Sequence, residues 1–205
     1  MLNPALSLVL SLLADAGSRD ETSMAVHYAF PYTSPRYRTL TAREAHTRKV
    51  AYELKLPKPR ALEEASAALS AHVQPGSILV PVPSSSGSTE VNRLLAEAIA
   101  SKSGAWVHDL LSRRAEVPSS QQRYVEGRPG LSVTEHSMVA HTSLPDNGAP
   151  VFLVDNVCTT GNTLRAAHKA LGSSERIAGL VWAYNHGPDG RRYDEKARCR
   201  TRDEA

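Results

Sequence analysis

One stretch constrains the fold of this chain more than any other. Val151, Phe152, Leu153 and Val154 are followed by Asp155, Asn156, Val157 and Cys158, and then by Thr159, Thr160, Gly161, Asn162 and Thr163. The four leading apolar residues predict a short strand buried on both faces, as in a parallel sheet. An acid and an amide stand where such a strand would surface. The hydroxyl-and-glycine loop over 159–163 then leads into helical spacing over 164–171. A strand, a tight loop and a helix N-terminus in that order present free backbone N–H groups and the positive end of a helix dipole, which suits a phosphate. Gly161 would let the backbone come close to a ligand. Asp155 and Asn156 are placed to hydrogen-bond sugar hydroxyls.

A second unit of the same kind lies upstream. Residues 77–83 read as a buried strand, and Ser84, Ser85, Ser86, Gly87 and Ser88 follow as a small loop. Thr89 is expected to cap a helix over 90–100 with Val91, Leu94, Leu95 and Ile99 on its apolar side. Residues 105–111 read as the next strand, which gives the β-α-β order of a parallel sheet. Between that strand and the central one, Arg113 and Arg114 are followed by a polar, weakly periodic stretch over 117–147, and long inserts of this kind are either functional segments or flexible surface hairpins. A last core strand is expected over 176–183, followed by a Gly/Pro/Asn loop over 184–190 and a charged tail.

The N-terminal part reads as an extension of this core. Residues 1–16 suggest an amphipathic packing helix, 25–30 a strand stopped by Pro31, and Thr41 to Glu44 a capping box that opens a helix to about Leu56. A helix over 60–72 follows. The first of these two helices carries Arg43, Arg48, Lys49 and Lys55, which read as a solvated face.

Composition narrows the class. A length of 205 residues fits one domain, and 41% hydrophobic with 5% aromatic suits an α/β core of Ala, Val and Leu. The net charge of +3 gives no general argument for nucleic-acid binding. Cys158 and Cys199 form neither a zinc-ribbon spacing nor a disulfide framework, which favours a reducing, cytoplasmic setting. No apolar run is long enough to span a bilayer. The eight histidines show no metal spacing, His136 and His141 included. The expected organisation is a single α/β domain over 1–205, with a mainly parallel sheet flanked by helices. It comprises an extension over 1–74, a core over 75–185 with a flap over 113–147, and a tail over 186–205.

The run from Val151 to Thr163 resembles the signature of the type I phosphoribosyltransferases, in which a strand ends in two acids before a Thr/Gly-rich loop. Residues 78–83, then Leu111 to Arg114, then Gln121 to Arg128, resemble more narrowly the competence-protein F (ComF-like) branch, over about 37–183. The resemblance implies a fold with a flap and a ligand, phosphoribosyl pyrophosphate (PRPP), bound with Mg²⁺. It implies that Asp155 and Asn156 hold the ribose at the reacting centre, with Asp155 a candidate contact to the metal. Thr159, Thr160, Gly161, Asn162 and Thr163 would grip the 5′-phosphate. Ser84, Ser85, Ser86 and Gly87 would bind the pyrophosphate, and Arg113, Arg123 and Arg128 would belong to a flap that excludes water.

The chain departs from the family pattern in four places. Asn156 stands where a second acid is usual, and Thr159 where some purine-salvage relatives carry a general-base aspartate. No cysteine-rich zinc module opens the chain, and the serine loop lacks the basic residues common in the ComF-like branch. The expectation is a Mg²⁺-dependent transfer of the phosphoribosyl group to an acceptor, a nucleobase or an amine, left open by the sequence. Two rivals stand beside it: a ComF-like accessory factor of DNA uptake using a basic stripe of Arg36, Arg38, Arg43 and Lys49, and a PRPP sensor without turnover. A homodimer is compatible with all three.

Overall fold

The computed structural model describes residues 24–34 and 38–185. The expected helix over 1–16, Arg36, Tyr37, Cys199, the tail and most of the 184–190 loop lie outside the described residues. In chain order the elements are strand β1 (Val26–Pro31), helices α1 (Ala42–Lys55) and α2 (Pro59–Ser70), β2 (Ile78–Pro81), α3 (Glu90–Ser103) and β3 (Trp106–Val107). Then come β4 (Leu111–Arg113), α4 (Ser120–Val125), a 3₁₀ turn (Thr134–His136), β5 (Met138–Ala140), β6 (Val151–Cys158), α5 (Asn162–Ala170) and β7 (Ile177–Tyr184).

Five strands form one parallel sheet in the order β1-β7-β6-β2-β3. The strand period of two puts successive side chains on opposite faces. Leu79 and Val154 face a layer made by Val50 and Leu54 of α1, Ala65 and Leu69 of α2, and Leu95 and Ile99 of α3. Val80 and Leu153 face the other way, toward Leu164 and Ala167 of α5 and Leu110 and Leu111 at the start of β4. This is the expected α/β fold with helices on both faces.

The N-terminal helices are anchored by specific bonds. Thr41 and Glu44 form the reciprocal capping box at the start of α1. Farther along, the indole Nε1–H of the fully buried Trp182 donates to the Thr47 carbonyl at 3.0 Å, which fastens α1 to β7.

Three local expectations need correction. The strand read over 105–111 breaks in two: β3 stays on the main sheet, while Leu111 pairs with Ala140 in an antiparallel two-stranded sheet. The insert is therefore rooted on a short ladder and not irregular from end to end. Thr89 precedes α3 without a side-chain capping bond, because its hydroxyl donates to the Asp109 carboxylate at 2.9 Å. Finally, the buried side of α3 is Asn92, Leu95, Ala96 and Ile99, with Val91 and Leu94 only partly buried. The helix is rotated so that an amide, not a valine, leads its core stripe.

Candidate functional site

The sheet order creates a crevice. From β2 the chain passes through α3 to β3 on one side, and from β6 it passes through α5 to β7 on the other. β2 and β6 are nevertheless adjacent, with Pro81 opposite Val154. Their C-terminal ends thus flank a topological switch point, the place where open α/β sheets bind ligands. The two loops singled out in the sequence both leave the sheet here.

Asp155 lies in β6 just beyond the last residue paired with β2. Its Oδ1 accepts the backbone N–H of Asn156 at 2.8 Å and the side-chain Nδ2–H of Asn92 at 3.2 Å. Burial pushes the Asp155 carboxyl up to about 6, opposed by those two donors and by the charges of Arg113 and Lys55. The acid is therefore poised near neutrality, as acids at reactive sites often are. Asn156 follows it in β6, partly buried.

The second loop is a sharp turn into α5. Gly161 holds φ at +80°, a left-handed conformation that favours glycine. Arg165, one turn into α5, donates to the Thr160 carbonyl and to Asn162 Oδ1, each at 3.1 Å. The Asn162 side chain donates in turn to the Leu131 carbonyl of the insert at 2.7 Å. Thr160 accepts the Asn162 N–H through its hydroxyl.

The first loop closes on itself. The Ser84 N–H donates to the Ser88 carbonyl at 2.8 Å, the Gly87 N–H to the Ser84 carbonyl at 3.0 Å, and the Ser84 and Ser86 hydroxyls lie 2.9 Å apart. The Val117 N–H donates to the Ser85 carbonyl at 2.9 Å, so the insert also touches this loop.

Arg113 is the main stitch between insert and crevice. Its guanidinium donates to the carbonyls of Ser84 at 2.6 Å, Pro83 at 3.2 Å and His136, and lies 3.3 Å from His136 Nδ1. Burial lowers its affinity for its proton, and nearby Asp155 opposes that. His136 is buried, and burial first, then the Arg113 charge, pushes it down to about 4. It is thus neutral, with Nδ1 facing a donor and the proton on Nε2. Arg123 and Arg128 sit farther out in the insert. Arg123 donates to the Pro129 carbonyl and approaches Glu135 at 3.8 Å, while Arg128 approaches Glu126 at 3.7 Å.

The structure therefore places Asp155, the serine loop, the threonine loop and Arg113 around the ends of β2 and β6, with Asn156 next to Asp155 in β6, and leaves Arg123 and Arg128 within the insert. Sequence reasoning missed Asn92 and Arg165. Asn92 had a usable signal, since residues 92, 95, 96 and 99 form the i, i+3, i+4, i+7 stripe of a packing helix.

Of the basic residues of α1, Arg43, Lys49 and Lys55 are exposed, as expected of a solvated face, and Arg48 is half-buried. Arg43 lies over the Phe30 ring at 4.9 Å, Arg48 over Tyr32 at 5.0 Å, and Lys49 is 3.8 Å from Glu53. Arg38 pairs with Glu44. Among the described residues no helix is long and apolar enough to cross a membrane, and no group of three or more His, Cys, Asp or Glu side chains is placed to hold a metal ion. No protein-family model matches the chain, and no curated protein matches it.

Proposed function

We propose that this protein binds PRPP with Mg²⁺ in the crevice between β2 and β6 and transfers its phosphoribosyl group to an acceptor, as the resemblance to type I phosphoribosyltransferases implies. The observation that carries this reading is the placement of one poised carboxylate, Asp155, between two small-residue loops at a topological switch point. The loop over 159–163 takes the 5′-phosphate with N–H groups at the start of α5 and the threonine hydroxyls. Asp155 and Asn156 accept from the ribose hydroxyls. The serine loop receives the pyrophosphate, and Arg113 holds that loop in shape through the Pro83 and Ser84 carbonyls.

In the transfer the anomeric C–O bond breaks, pyrophosphate leaves, and the acceptor's lone pair forms the new bond at that carbon. Positive charge grows on the sugar meanwhile, and a fixed carboxylate beside it lowers the barrier. The donor set suits Mg²⁺, which is usually held by one or two carboxylates together with substrate phosphates and water. Asp155 is the carboxylate that would contact it. Magnesium bound to the pyrophosphate would neutralise leaving-group charge. The reading sets the reaction in the cytoplasm, in keeping with a sequence that lacks a disulfide framework.

Asn156 favours a second reading, a PRPP sensor that binds without turnover, because an amide stands where the family pattern has an acid. For a DNA-handling role, Arg38, Arg43 and Lys49 are all exposed, but Arg38 is paired with Glu44 and Lys49 lies near Glu53, which offsets two of the three charges.

Thermal unfolding with PRPP and Mg²⁺, against Mg²⁺ alone and ribose 5-phosphate, tests the proposal. Ligand at a hundred times its dissociation constant stabilises the folded state by about 2.7 kcal/mol, roughly 5–10 °C for a chain of this size. Millimolar PRPP that leaves the midpoint unmoved would exclude both the transferase and the sensor. Pyrophosphate release in the presence of nucleobases or amines separates the two.

A further inference from the structure

We propose that Asn92 is a positioning residue of the crevice: its side-chain amide bridges the end of β2 to the Asp155 carboxylate and fixes which carboxylate oxygen faces a ligand. The inference rests on the phosphoribosyl reading only for the identity of that ligand.

Asn92 is 7% exposed and lies on the core side of α3, in line with Leu95, Ala96 and Ile99. Burying an amide is unfavourable unless its hydrogen bonds are made. Here Nδ2 has two acceptors, the Val82 carbonyl at 2.7 Å and Asp155 Oδ1 at 3.2 Å, which match its two N–H groups.

These acceptors belong to neighbouring strands at the point where their pairing ends. The Val82 N–H donates to the Val154 carbonyl at 3.0 Å. One residue farther on, the contact between the two strands passes through Asn92. Asp155 Oδ1 also takes the Asn156 N–H at 2.8 Å. Two donors from different directions on one oxygen set the plane of the carboxylate, so Oδ2 is the oxygen offered to a ligand hydroxyl. Because the serine loop runs directly into α3, Asn92 also ties the position of that loop to the acid. Arg113 and Lys55 act on Asp155 through their charge, and charge alone does not choose between its two oxygens.

The test uses the full chain without ligand first. Asn92→Leu keeps the branched side-chain shape, though it is bulkier, and removes both donors. The Asn156 amide is then expected to exchange with solvent at least tenfold faster, because the freed carboxylate rotates away from it. The reverse arm needs no change at Asn92: in Asp155→Ala, one of the two Asn92 Nδ2–H resonances should shift while the one bonded to Val82 stays. An Asn156 amide unchanged in a folded Asn92→Leu chain overturns the proposal. If that chain does not fold, two unmoved Nδ2–H resonances in Asp155→Ala overturn it equally. Calorimetric titration with PRPP and Mg²⁺ follows, with binding at least tenfold weaker in Asn92→Leu expected. If the resonances move as described but PRPP binds neither parent nor variant, the positioning role stands and the phosphoribosyl reading falls.

Discussion

The Arg113 Nε–H donates to the backbone carbonyl of Ser84 at 2.6 Å, which binds the root of the insert to the first crevice loop. The same guanidinium reaches the carbonyls of the buried Pro83 and His136, so one side chain serves three backbone acceptors, of which Ser84 also takes the Gly87 N–H. Its planar fork suits three acceptors in different directions, and an ammonium does not. Arg113→Ala should lower stability by about 2–3 kcal/mol, the range for buried polar groups left without a charged donor. Arg113→Lys should recover less than half of that. Urea unfolding of the three proteins measures both, and a lysine variant as stable as the parent would mean that the fork geometry is immaterial.

A cleaner stability effect is expected at Ser77, just before β2. Its hydroxyl is fully buried and has no hydrogen-bond partner among the described residues. Removing an orphaned polar atom from the interior is favourable, and the cavity left by one oxygen is small. Ser77→Ala should therefore raise stability by about 1 kcal/mol. A destabilised variant would show that the hydroxyl has a partner.

Asp155 sets a pH dependence whose sign is opposite to that of most carboxylates. Burial raises its folded-state value from 3.8 to about 6. Between those values the folded chain holds a proton that the unfolded chain has released, so this group's contribution to stability falls as pH rises from about 4 to 6. A difference of that size is worth at most on the order of 3 kcal/mol. His136, pushed down to about 4, acts the other way, losing stability as pH falls below 6.5. Subtracting the unfolding curves of the parent from those of Asp155→Asn cancels the histidine contribution. The variant should gain on the parent as pH rises from 4 to 7 while losing ligand binding. A difference that does not change with pH would mean that Asp155 titrates normally.

At Gly161 the constraint lies in the backbone more than in the space around it. A Cβ there would sit 3.7 Å from the Arg165 guanidinium, an ordinary contact, but φ is +80°. Asparagine tolerates that conformation far better than a β-branched residue. Gly161→Asn should keep most of the PRPP-induced thermal shift, and Gly161→Val should abolish it and cost about 1–2 kcal/mol of stability. Equal shifts in both variants would remove the loop from the binding site.

These residues also show where the sequence stops being informative. The buried strand at 151–154, the Thr41–Glu44 capping box and the turn at Gly161 are local, and each is written in contiguous residues. Leu111–Arg113 and Met138–Ala140 are three-residue runs that become strands only by pairing with each other across the insert. Neither run has a periodicity long enough to announce itself. The partners of Arg113 are backbone carbonyls, which no side-chain pattern reveals. The crevice itself depends on β2 and β6 being neighbours, a fact of sheet order that strand-by-strand reading leaves open. Asn92 is hidden for a simpler reason: the buried side of α3 is read from its apolar residues alone, and an amide on the flank of that stripe does not count toward it.

The last prediction concerns Asn156, beside Asp155 in β6. As an amide it can accept from a ribose hydroxyl, so binding does not require a second acid. A carboxylate there would add negative charge near the anomeric carbon, where positive charge grows as pyrophosphate leaves, and charge-assisted bonds are roughly twice as strong as neutral ones. Asn156→Asp should therefore raise turnover more than it tightens PRPP binding, by on the order of tenfold, about 1.4 kcal/mol of transition-state stabilisation. The new acid would also stand next to one already pushed up to about 6 by burial. Like charges disfavour each other's ionisation, so the gain should grow with pH above neutrality, where both groups are ionised. Pyrophosphate release at several pH values, combined with PRPP titration, separates turnover from binding. A variant that binds and turns over no better than the parent at any pH would place Asn156 away from the ribose. Parent and variant that both bind PRPP and both fail to turn over any acceptor would favour the sensor.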